Sequence, residues 1–138
     1  MNWKLIFALA LFGVAMGAAS LMGWTQGIEW VLWLVIFVVS AWFIARKAAS
    51  RHLLHGFMVG LLNGIIHAII QAAFINTYLA NNVQMAEQFG NIPGGLPPLL
   101  FVLLSGPFIG VVSGAIVGLL ALVMVKLVGK TSTSPAST

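Results

Sequence analysis

The sequence predicts an all-α, polytopic membrane protein with four transmembrane helices and both termini on the cytoplasmic side. Three observations carry that prediction: the composition, four long apolar runs, and the placement of every lysine and arginine. Of 138 residues, 61% are hydrophobic and 6% are charged, whereas ordinary soluble domains hold about 45–50% and about 25%. A soluble chain of this size with so few charges would expose apolar patches large enough to aggregate. The absence of cysteine excludes disulfides, thiolate metal sites and thiol redox chemistry. The formal charge of +4 comes from six basic residues spread along the chain, and without a dense basic patch nucleic acid is not an expected partner.

A hydrocarbon core about 30 Å thick calls for about 20 apolar residues per helix. The runs that meet this demand are 5–23, 28–45, 56–79 and 99–125. Together they form one transmembrane domain over residues 1–130. The first run, with Lys4 ahead of it and "GVAMGAAS" near its end, also fits a secretory signal peptide. The charge pattern fits four spans, so it is read as a membrane helix. The short "WTQGIE" between the first two runs predicts antiparallel neighbours joined by a tight outer turn. The third run is read as one continuous helix. The fourth is longer than a span requires, at about 40 Å, and Pro107 marks its expected bend.

Orientation follows from the avoidance of translocated loops by lysine and arginine. Lys4 precedes the first run, Arg46, Lys47 and Arg51 fill the joint between the second and third, and Lys126 and Lys130 follow the fourth. All six fall on one side, and the only acids, Glu29 and Glu87, fall in the connections on the other. A bias this complete argues against dual topology. Trp24, Trp30 and Trp33 are expected at the outer interface and Trp3 and Trp42 at the inner one, where amphipathic rings prefer to sit. Arg46, Lys47 and Arg51 are expected to touch anionic lipid headgroups, as are His52 and His55 beside them. The outer loop 81–98 contains prolines and glycines that forbid a continuous helix, although its first half can extend the third span. The ending over 131–138 is small and polar, and is read as a disordered cytoplasmic tail.

Helices in lipid associate through close backbone approach, so small residues mark contact faces. Glycine recurs every four residues at Gly106, Gly110, Gly114 and Gly118, and small residues recur likewise at Gly56, Gly60, Gly64, Ala68 and Ala72. The first run adds Gly13 and Gly17. These ladders predict that the third and fourth spans pack together; spacing alone leaves open whether the contacts lie within one chain or between copies. A polar seam crosses the same region. Taking Asn63 as origin, His67 lies at about 40°, Gln71 at about 80° and Tyr78 at about 60° around a helix. The four share one face with part of the glycine ladder, so the seam faces protein rather than lipid, and His67 is expected near the bilayer midplane. Apart from Glu29 at the outer edge of the second run, no acid lies within the four runs, and the seam is read either as interhelical glue or as the lining of a small polar cavity.

No paired carboxylates, serine–histidine–acid constellation or phosphate-binding glycine loop is present, so no enzyme, metal site or cofactor is expected. In its order of parts the chain resembles small bacterial four-span membrane proteins grouped as a domain of unknown function. The resemblance rests on two apolar helices, a basic joint, "HGFMVGLLNGIIHAIIQAAFINTYL", a "MAEQ" outer loop and "GVVSGAIVGLLALVMVK". It implies the topology only and assigns no ligand or residue role; the expected location is the bacterial inner, cytoplasmic membrane. The function expected on these grounds is that of a non-enzymatic membrane protein, acting as a homo-oligomer or as a small accessory or scaffolding subunit docked on other membrane subunits. The alternatives are a small channel or carrier with a polar pathway around His67, and a haem-, pigment- or quinone-binding protein with its site at an oligomer interface.

Overall fold

A computed structural model describes residues 1–131, and the tail expected over 131–138 lies outside the described residues apart from Thr131. All elements among the described residues are helices: α1 (Trp3–Leu21), α2 (Glu29–Lys47), α3 (His52–Ala73), α4 (Ile75–Asn81), α5 (Val83–Gly90) and α6 (Pro98–Thr131). Four of them, α1, α2, α3 and α6, are long and apolar enough to cross a membrane. Both ends of the described chain lie at one end of the bundle, with Lys4, Arg46, Lys47, Arg51 and Lys126. The opposite end, called here the loop end, carries the 22–28 turn, α4 and α5.

The centre of the bundle is the α3–α6 pair, whose interface is the most extensive in the molecule. Its cause is the two ladders, which face each other in antiparallel register within the chain. A Cβ on Gly56 would stand 2.5 Å from the Gly118 Cα, and one on Gly64 would stand 2.5 Å from the Gly110 Cα. Between these rungs Gly60 meets Gly114, and beyond them Ala68 meets Gly106. Real side chains do not approach backbone so closely, so only glycine lets these two helices touch along their length. Pro98 opens α6, where a missing N–H costs nothing. Pro107 lies inside the helix.

The 22–28 turn joins α1 and α2, but the two are not packed along their length. α1 lies along α3, α2 lies along α6, and α1 touches α2 little. Gly13 and Gly17 are the reason, since they let Asn63 and Ile70 of α3 seat directly on the α1 backbone. The buried residues of α2 all lie from Ile36 onward, namely Ile36, Phe37, Ser40, Ala41 and Ile44. Around them the four spans converge on a core that includes Ile6, Ile44, Val59, Val117 and Ala121, each no more than 1% exposed. The first half of α2 stands away from this core, and the space it leaves contains the candidate site.

The run read as one helix over 56–79 is divided. α3 ends at Ala73, Phe74 leaves helical geometry at φ −121° and ψ 39°, and α4 sets off in its own direction. Side chains of α4 and its flank tie it to the end of α1: Asn81 Nδ2 donates to the Leu21 carbonyl at 2.9 Å, and Asn82 Nδ2 donates to the Ser20 carbonyl at 2.9 Å. Satisfying those terminal carbonyls of α1 requires the chain to turn over it, which a straight continuation of α3 would not do. The break also moves the middle of the third span to Asn63, placing His67 about 6 Å toward the loop end.

Candidate functional site

The four seam residues part company in the structure. Asn63, 2% exposed, turns to α1, where its Oδ1 accepts from Gly13 N at 2.7 Å and its Nδ2 donates to the Leu9 carbonyl at 3.4 Å. That N–H and carbonyl are four residues apart, the separation of one ladder bond of α1, so Asn63 clamps a single helical turn. Gln71 also reaches α1, with Nε2 donating to Ser20 Oγ at 3.0 Å. His67 and Tyr78 instead line a cavity of about 710 Å³, as does the inner side of Gln71.

That cavity lies between the first half of α2, the loop-end halves of α3 and α6, and the α4–α5 cap. Phe37, Gly60 and Ser113 form its floor, above the close-packed core. Leu34 of α2 and Ile109 of α6 line it and are also 51% and 55% exposed. Its mouth therefore opens sideways between α2 and α6, at a depth where both flanks are apolar.

An acid reaches this space, which the placement of Glu29 in an outer connection did not anticipate. Glu29 opens α2, and its side chain reaches across to α3, where its Oε1 stands 3.4 Å from His67 Nε2. Its other oxygen accepts from Thr25 Oγ1 at 3.0 Å. Trp33, one turn further along, points its Nε1 at Glu29 Oε1 from 3.5 Å and meets the His67 ring edge-on, with centroids 5.4 Å apart. His67 Nε2 is also 3.4 Å from Gln71 Nε2. The two neighbours make opposite demands: a proton on Nε2 serves Glu29, and a lone pair there serves Gln71. Tyr78, beyond the end of the span, has its phenol raised to about 12, first by burial and then by the negative charge of Glu29. It enters the cavity as a neutral hydroxyl.

The other expected contact residues divide in the same way. His55, expected among the lipid headgroups, is 3% exposed and fastens α1 to α3: its Nε2 accepts from Asn2 N at 2.8 Å while its Nδ1 donates to the Arg51 carbonyl at 2.9 Å. Arg46 and Lys47 lie over the rings of Trp42 and Phe43 on their own helix, at 5.0 and 5.3 Å. Glu29, Thr25, Ser20, Trp33 and Ser105 are site or support residues that the pattern of apolar runs did not single out. One signal for Glu29 was present, since it is the only acid within a turn of the second span's start. Among the described residues no three histidine, aspartate or glutamate side chains gather as a metal site would need. No family model, curated protein or solved structure matches the chain.

Proposed function

We propose that this chain is a non-enzymatic protein of the bacterial inner membrane, with both termini cytoplasmic, that binds an amphipathic small molecule in the cavity beside His67. The observation that carries this reading is a cavity with hydrogen-bonding groups at one end, aromatic and aliphatic walls, and a mouth flanked by Leu34 and Ile109. Sites of a few hundred cubic ångströms with few, convergent polar groups are the usual form of small-molecule pockets. A ligand with a polar head and an apolar body would reach it through the lipid.

The reading as an accessory subunit or homo-oligomer had the glycine ladders as its docking surfaces. Those ladders are occupied by one another inside the chain, which withdraws that support, and lipid accounts for the apolar side chains left on the outside. A continuous channel is disfavoured because the half of the bundle nearer the termini is filled by Ile6, Ile44, Val59 and Val117. Native mass spectrometry of protein extracted in a mild detergent tests the proposal. The wild type is expected to retain a low-mass species that is lost from Ser105→Trp, which fills the cavity. Equal retention, or none in either, would overturn it.

A further inference from the structure

We infer that the cavity takes a lipophilic organic cation, which binds the Glu29 carboxylate in exchange for a proton carried by His67. The inference rests on the binding reading above and adds the charge of the ligand and its coupling to protons.

Charge decides the class of head group. No lysine or arginine lines the cavity, and all the basic residues of the described chain sit near the opposite end of the bundle, in the first turn of α1, the last turn of α2, the residues leading into α3 and the last turns of α6. An anionic head would find no counter-charge there and would face Glu29 instead. A cation would find a carboxylate held ready by Thr25 and, in the same cavity, the aromatic side chains of Trp33, Tyr78 and Phe101, residue types whose quadrupoles add to cation binding. The aliphatic flanks of the mouth suit an apolar body. A small hydrated inorganic cation would gain nothing from them.

The groups that face the Glu29–His67 pair are few. From α1 comes Ser20, from the 22–28 turn Thr25 and Gln26, from α3 Gln71, from α4 Tyr78 and from α6 Ser105; none of these carries charge at neutral pH. Glu87, on α5, is not among the lining residues. Among the described residues His67 is thus the only built-in cation available to Glu29. With a proton on each ring nitrogen the imidazolium neutralises the carboxylate. When an organic cation takes that place, the N–H bond at Nε2 breaks, its electron pair stays on the nitrogen and the proton leaves to bulk water. Gln71 Nε2, already 3.4 Å away, then donates to the vacated lone pair. The net charge of the cavity is the same before and after, which avoids stranding an uncompensated charge in a low-dielectric site.

Equilibrium dialysis of the full chain in neutral-lipid nanodiscs tests this with three probes of related shape: tetraphenylphosphonium, tetraphenylborate and triphenylphosphine oxide. Saturable binding is expected for tetraphenylphosphonium only, with loss in Glu29→Gln and in Ile109→Trp, a half-exposed rim position where bulk closes the mouth without touching the core. In weak buffer on the acid side of the His67 titration a pH dye should report one proton released per cation bound, and there affinity should fall by about tenfold per unit drop in pH. His67→Gln should keep cation binding while abolishing the proton release. Equal, mouth-dependent binding of the anion or the neutral probe would overturn the cation assignment and leave the ligand cavity standing. Cation binding without proton release would overturn the exchange. No saturable binding of any probe would overturn the whole inference, and the underlying reading would then be judged by the mass-spectrometric retention alone.

Discussion

At the scale of single residues, two buried polar side chains with opposite circumstances make opposite predictions. Asn63 satisfies both ends of its amide on the α1 backbone. Replacing it by leucine removes both bonds and crowds Gly13, whose Cα face lies against the Asn63 backbone. Bonds of this kind in membrane proteins average about 0.6 kcal/mol with a maximum near 1.7, so Asn63→Leu should cost about 1–2 kcal/mol in a reversible denaturant titration. Ser40 is fully buried in α2, and its Oγ finds no partner among the described residues. An unsatisfied buried hydroxyl costs about 1–3 kcal/mol. Ser40→Ala should therefore raise stability, by about 1 kcal/mol in the same titration, and a loss of stability would show that the hydroxyl has a partner after all.

At the scale of elements, the α3–α6 contact is the one that a single methyl group can test. A side chain at Gly114 would run into the backbone of Phe57, whereas nothing lies within 4 Å of a Cβ at Gly129. Gly114→Leu should abolish the monodisperse elution peak in detergent, while Gly129→Leu and Leu119→Ala, the latter at a 58% exposed position, should change thermal stability by less than about 0.5 kcal/mol. The apolar runs were legible in the sequence because span length is set by the bilayer and leaves a long, unbroken signature. The ladders were legible because glycine has no other use at four-residue spacing on a membrane helix. The break at Phe74 was not, since no proline or glycine marks it: α4 turns toward the end of α1, a partner some fifty residues away that periodicity cannot register. The cavity was hidden for a related reason, as Glu29 reads as loop until the tilt of α2 is known.

At the scale of the molecule, orientation is the first property to check. A reporter that is active only in the cytoplasm should work when fused after Thr138 and fail when inserted beside Glu87; the opposite pattern would invert the whole arrangement and move the cavity to the cytoplasmic half. The α1–α2 hairpin also has a global role that follows from the ladder. A row of like rungs carries no mark of its own zero. Slide α3 along α6 by one rung, about 6 Å, and Gly60 would meet Gly118, Gly64 would meet Gly114, Ala68 would meet Gly110 and Ala72 would meet Gly106, small against small throughout. Alone, the helix pair is a vernier with more than one valid reading. What selects between readings is the arm made by α1, gripping α3 through Asn63, and α2, gripping α6 through Phe37, Ala41 and Ile44, with the 22–28 turn as the fixed length between them. Lengthening that turn would leave every rung intact and blur the setting.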